Sequence, residues 1–373
     1  MDPVTLKVNT NQAPGVGNSI PAEAYGKAVE EWSGGKITFD IVYSGAVVPL
    51  SEASQAMADG LLDAGLWGYG TRLDFFPVAA AKQETFFLQD SAPLSGGLEL
   101  IASAIAQSAD DDLRDEIKTQ DLYPLLPMLP FAGVGMICKG DPLEGPGDAQ
   151  GKTVRAAGTA GLAEEVKALG MTPVEIPFAE AYDAMQRGVT ECEANALNSF
   201  ASTGQMEIAD QLILLDGASF TAASAGFDIS LHVWESLPLA AQQLLFDRLD
   251  VFLASFAEGA LVKPAVDVNA LAEKYDVQVD TWSSSDVTAL TSYHDEKLEA
   301  IAAKTYGSVS GKEIVADAEA ARDTWREKVA ALGLGDDDVA FEDFPQWVEK
   351  NDVELQGFFA EVLDEALGEY RPA

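Results

Sequence analysis

Gly151-Lys152-Thr153-Val154-Arg155-Ala156-Ala157-Gly158 is the stretch on which the fold turns. It reads as a β-prone run over Thr153–Ala156 that closes on small residues and passes into a helical pattern at Leu162–Leu169. The pattern then repeats. Thr172–Ile176 reads as a strand, Ala179–Arg187 as a helix, Thr190–Ala194 as a strand, and a helix starts near Ser199. Strands that alternate with short helices call for a parallel sheet with crossover helices. The N-terminal third has the same texture. Val4–Asn9, Ile37–Tyr43 and Leu61–Trp67 read as strands, with helices over Ile20–Trp32 and Glu52–Asp59 between them. Leu98–Gln107 and Leu113–Thr119 read as one helix or two.

Two α/β units in 373 residues predict two lobes. Between them, Tyr123–Pro130 carries Pro124, Pro127 and Pro130, and Phe131–Lys139 reads as a long strand. Ile213–Leu215 and Ala225–Leu231 are further strands. Beyond Pro238 the pattern is mostly helical, with a short strand at Tyr275–Val279 and helices over Val287–Lys304, Lys312–Ala331 and Phe344–Tyr370. Ligands in open α/β sheets bind beyond the C-terminal ends of the strands, so two facing lobes place the site in the cleft between them.

Charge narrows the function. The 61 acidic residues against 23 basic ones give a net charge of −38, which repels phosphate backbones and anionic membrane surfaces. No nucleic-acid partner is expected. Such a surface also repels an anionic ligand at long range, so a site for one must supply its own cation. With only eight arginines in the chain, each one matters. No run reaches the roughly 18 apolar residues of a membrane span. His232 and His294 are the only histidines, which leaves little for metal or histidine-based catalysis, and neither metal nor cofactor is expected. Cys138 and Cys192 either form one disulfide, if the compartment is oxidising, or stay as buried thiols. The opening Met1-Asp2-Pro3-Val4 enters a strand at once, which reads as a mature protein whose export signal a start Met has replaced.

The candidate site residues follow strands. Arg155 puts a guanidinium at the mouth of its sheet, where the planar fork matches a carboxylate; a surface ion pair with a nearby acid is the alternative. Asn195 is read at a strand exit, as a ligand partner or a helix cap. Asn9 ends the first strand. Trp67 and Tyr69 lie among glycines at the end of the third strand, where aromatic rings can wall a pocket or fill the core, and Arg72 follows as a second anion partner. Phe178 and Phe220 add to an aromatic-lined cleft. An enzyme is not expected: there is no Gly-x-Ser-x-Gly elbow and no His-Glu-x-x-His. The P-loop hint at Gly151-Lys152-Thr153 fails at Pro146, and Gly15-Val16-Gly17 lacks the third glycine of a dinucleotide fingerprint.

The stretch from Gly151 to Gly158, continued by Ala168-Leu169-Gly170-Met171-Thr172-Pro173-Val174 and by Pro177-Phe178-Ala179-Glu180-Ala181-Tyr182-Asp183-Ala184-Met185-Gln186-Arg187-Gly188-Val189, resembles the DctP-type TRAP transporter solute-binding proteins. Asp59-Gly60-Leu61-Leu62-Asp63-Ala64-Gly65 and Trp234-Glu235-Ser236-Leu237-Pro238 are similar to further elements of that family, and the likeness covers roughly residues 4–306. In the family's pattern Arg155 falls on the carboxylate-binding arginine and Asn195 on the asparagine of a Glu-Asn element that contacts ligand. This chain departs at Cys192, Ala194 and Ala196, where the family has Gly, Glu and Pro.

The resemblance implies an α/β fold of the type II periplasmic-binding-protein kind. It has two lobes with a cleft, crossing hinge strands, a long spanning helix and, here, an extended helical C-terminal tail. Residues 1–130 plus 217–255 are expected to form one lobe, 131–216 plus 256–306 the other with the hinge helix, and 307–373 a helical extension packed on both. It further implies a monomeric, non-catalytic, extracytoplasmic subunit, periplasmic or at the cell surface. Such a subunit binds a small organic acid through its carboxylate and hands it to a TRAP membrane permease. A binding protein for an ABC importer or a two-component sensor is the alternative.

Overall fold

In the first strand, β1 (Val4–Asn9), Leu6 and Val8 are buried while Thr5 and Lys7 between them are more open. The computed structural model describes residues 2–373 apart from 16, 69–73, 157–160, 337 and 352. In chain order, β1 is followed by α1 (Ser19–Ser33), β2 (Ile37–Val42), α2 (Ala53–Ala58), β3 (Ala64–Trp67), α3 (Pro77–Gln83), α4 (Ser95–Gln107), α5 (Asp111–Lys118) and β4 (Leu122–Pro130). Next come β5 (Val134–Cys138), β6 (Thr153–Ala156), α6 (Leu162–Ala168), β7 (Thr172–Val174), α7 (Ala181–Gln186), β8 (Cys192–Ala196), α8 (Leu197–Thr203) and β9 (Gln211–Asp216). Then follow β10 (Ser224–Ser230), α9 (Leu231–Ser236), α10 (Leu239–Asp247), α11 (Leu249–Ala257), α12 (Lys263–Tyr275), β11 (Gln278–Ser283) and α13 (Thr288–Ala302). A small hairpin, β12 (Thr305–Tyr306) with β13 (Val309–Ser310), leads to α14 (Gly311–Ala331), α15 (Phe344–Lys350) and α16 (Leu355–Leu367).

The strands form two main sheets, ordered β2-β1-β3-β10-β4 and β11-β9-β5-β8-β6-β7. We call the part built on the first sheet lobe I and the part built on the second lobe II. β1 pairs in parallel with β2 and β3, and β6 in parallel with β7 and β8, so both sheets keep the strand–helix crossover pattern. The chain passes between the sheets after β4, after β9 and along the α11–α12 stretch. There α11 packs on α1 of lobe I, while α12 packs on α8 of lobe II. A five-residue π turn, Glu258–Val262, joins the two helices just before Pro264. Pro264 has no N–H to give and its ring crowds the preceding turn, which accounts for the wider loop.

Several elements differ from the sequence reading. The proline-rich run is a strand: β4 lies at a sheet edge, and Pro124 and Pro127 fall at register breaks against β10, where no ladder N–H is required. The region over Leu98–Thr119 is two helices, the second capped by Asp110, whose side chain accepts from the Leu113 N–H. β11 begins at Gln278, beyond the end of α12 at Tyr275. The last helix is broken, because Glu354 caps a new start by accepting from the Gln356 and Gly357 N–H groups. The C-terminal helices pack on both lobes. α14 lies on α4 and α13, α16 on α11 and α4, and α15 on α12. Asp336 reaches the start of α4, accepting from the Leu94 and Ser95 N–H groups.

Candidate functional site

Parallel pairing of β6 with β8 sets Val154 opposite Cys192 and Arg155 opposite Glu193. Successive side chains alternate faces. Val154, Ala156, Cys192 and Ala194 therefore enter the lobe II core, and Arg155, Glu193 and Asn195 share the other face. Arg155 is 5% exposed. Its Nε donates to the Ile176 carbonyl at 2.9 Å and its Nη1 to Glu193 Oε1 at 2.8 Å. Nη2 has no protein partner among the described residues. Glu193, 1% exposed, also accepts from Asn195 Nδ2 at 2.8 Å and from Gln205 Nε2. The guanidinium is thus held at two points and keeps one end free. Phe178, 47% exposed, places its ring 5.6 Å from the guanidinium carbon.

This face opens on a cleft between the lobes. Asn11, Gln12, Asn18 and Leu50 line it from lobe I. Phe131 and Thr221 belong to the crossing segments, and Arg155, Phe178, Asn195, Asn198 and Ser199 come from lobe II. Arg155 is the only charged residue among the described lining residues. A small pocket between Asp90, Pro93, Leu214 and Phe341 has no cation among its described lining residues.

The remaining sequence candidates separate. Trp67 is 1% exposed, its ring packs on Phe76, and its Nε1 donates to Asp228 at 2.8 Å, so it is a core residue of lobe I and not a wall. Phe220 is buried in the lobe II core. Asn9 is fully buried and is not among the described lining residues of the cleft. Tyr69 and Arg72 lie outside the described residues. Asn195 is within β8 rather than past its end, and it is not a helix cap: its Oδ1 accepts from the Ala196 N–H.

A family model described as bacterial extracellular solute-binding protein, family 7 (DctP), matches residues 11–305. The chain belongs to this family. The family is one of periplasmic solute-binding proteins, which are not enzymes. The ectoine-binding periplasmic protein TeaA of Halomonas elongata is 27% identical over 47% of this chain and 48% of its own length, so the match spans about half of that relative. A TRAP periplasmic solute-binding protein from Desulfovibrio salexigens superposes with a TM-score of 0.71 at 19% identity, covering 86% of this chain and 96% of that one. A TRAP solute-binding protein from Rhodoferax ferrireducens, solved with copurified benzoate, gives 0.72 at 18% identity over 88% and 99%. At these identities the structures establish the fold alone. No helix among the described residues is long and apolar enough to cross a membrane.

Within this family 7 protein, three features escaped the sequence reading. Glu193 is the first, although strand periodicity from Asn195 points at it. Asn11, Gln12 and Asn18, in the loop after β1, are the second; the strand-exit rule reaches that loop but stopped at Asn9. The third is a latch behind the cleft. Buried Glu165 of α6 accepts from the Thr221 N–H at 3.0 Å, from the Thr221 hydroxyl and from His294 Nε2 at 2.9 Å. His294 in turn stacks on Phe87 of lobe I at 4.0 Å. No local signal joins residues so far apart in sequence. Cys138 and Cys192, opposite one another on β5 and β8, form a disulfide that ties the Glu193–Asn195 strand to its neighbour. Such a bond suits an oxidising compartment.

Proposed function

We propose that this family 7 protein is the extracytoplasmic subunit of a TRAP transporter. In this reading it takes a small organic acid into the cleft, closes its lobes on it and presents it to a membrane permease. The acid's carboxylate meets the free end of Arg155, with Asn195 beside it and Phe178 as a wall. One observation carries this reading: the single cation among the described lining residues is fixed in place yet keeps Nη2 unclaimed. A carboxylate leaving water needs a charged, well-aimed donor, and a guanidinium pre-oriented by two bonds loses little freedom in providing one. The net charge of −38 makes such a local cation necessary, because the surface as a whole repels the ligand.

A thermal-shift screen of organic acids tests the reading. A ligand at roughly 100 times its Kd stabilises the folded state by about 2.7 kcal/mol. Carboxylic acids are expected to raise the melting temperature and their primary amides are not. A screen in which the amides stabilise as well as the acids would remove the carboxylate from the account.

A further inference from the structure

Arg155 explains one end of a ligand, and the lobe I wall describes the other. We infer that the cleft takes a polyhydroxylated monocarboxylate, rather than a dicarboxylate or a bare hydrocarbon acid; this rests on the carboxylate reading of Arg155 above. The loop that follows β1 places Asn11, Gln12 and Asn18 in the cleft lining. Gln12 Oε1 accepts the Asn18 N–H at 2.6 Å, and Gly17, at φ +46°, leaves the space that this amide occupies: a Cβ there would lie 2.0 Å from Gln12 Oε1. Asn18 lines the cleft, is 7% exposed, and its Oδ1 has no hydrogen-bond partner. Asn11 Oδ1 is likewise buried and unpartnered, and Asn9, two residues earlier, is fully buried with both amide atoms unpartnered. Asn195, Asn198 and Ser199 face this wall from lobe II.

Amides and hydroxyls each donate and accept, so a body bearing several hydroxyls is the uncharged chemistry that matches both walls. A hydrocarbon body would close the lobes over desolvated amides with nothing to bond them. A second carboxylate would bring a further negative charge to a cleft whose one cation among the described lining residues is already shared with Glu193. Phe178 and Leu50 supply apolar faces for the C–H side of such a molecule.

Titration calorimetry of the whole protein with three probes tests this. Quinate and cyclohexanecarboxylate share a ring and a carboxylate and differ in the ring hydroxyls, and succinate carries a second carboxylate instead. Quinate is expected to bind at least about tenfold more tightly than either of the others, because a site built on hydrogen bonds discriminates strongly against an analogue lacking them. Asn18→Leu, and independently Asn198→Leu on the facing wall, are expected to cut the preference for quinate over cyclohexanecarboxylate to about threefold or less. Equal or tighter binding of cyclohexanecarboxylate or succinate overturns the inference, as does binding of none of the three or a preference that survives both substitutions. If cyclohexanecarboxylate binds in an Arg155-dependent way and quinate does not, the carboxylate reading stands and this inference falls. If binding of every probe is indifferent to Arg155→Ala, the carboxylate reading itself falls.

Discussion

Each lobe buries a carboxylate within its sheet, and the two are handled in opposite ways. In lobe I, Asp228 of β10 accepts from Trp67 Nε1 at 2.8 Å and from the Leu125 N–H at 3.0 Å. Burial pushes its carboxyl up to about 7; those two donors and nearby Arg114 offset only part of the cost. In lobe II, Glu193 of β8 sits against the Arg155 guanidinium in an ion pair of 2.8 Å, with Asn195 and Gln205 as further donors. Asp228 fastens a core ring and an edge strand. Glu193 instead aims a cation that faces the cleft. A buried acid alone does not mark a site; a buried acid that leaves its partner one free end does.

The largest effect expected from breaking the lobe II arrangement is on Glu193→Ala. Removing one partner of a buried pair leaves the other charge uncompensated, at a cost of about 3 kcal/mol or more. Urea unfolding measures it, and adding Arg155→Ala should recover part of the loss; a loss unchanged in the double variant would mean that the pair is not coupled. The lobe I acid should show itself through pH instead. A folded-state carboxyl raised to about 7 from its ordinary value of 3.8 favours the folded state fully below that ordinary value, and the contribution fades as pH rises through 7. Between pH 5 and 8 the wild-type protein should lose about 3 kcal/mol at Asp228. Asp228→Asn, which cannot ionise, should therefore gain stability relative to wild type over that interval. A difference that stays flat with pH would show that Asp228 is not the titrating group. The smallest effect belongs to Phe178→Ala. Loss of the ring beside Arg155 is expected to weaken acid binding by about 0.5–1 kcal/mol, a few-fold in Kd by calorimetry, with no change in stoichiometry.

The legible part of the fold was what short periodic runs encode. β1 is read residue for residue, and β6 likewise, because each alternates over a few positions and stops at small or polar residues. β4 was obscured by its prolines, since whether a proline is tolerated depends on a sheet edge that no local window contains. Arg155 could be placed because its own strand carries it to the cleft. Trp67 reads in the sequence as a cleft wall but fills the core, because the deciding partner, Asp228, is 161 positions away. Glu193 shows the remaining limit. Its meaning comes from the register of β6 against β8, and register is set by the packed sheet.

Whether Arg155 recognises a carboxylate is decided by a two-by-two calorimetric cycle. The acid that gives the largest thermal shift and its primary amide are titrated into wild type and into Arg155→Ala. Arg155→Ala is expected to weaken the acid by about 2–5 kcal/mol and to bring it to the level of the amide, whose own affinity changes little. Equal losses for acid and amide would contradict it, and so would an acid that binds Arg155→Ala as tightly as wild type.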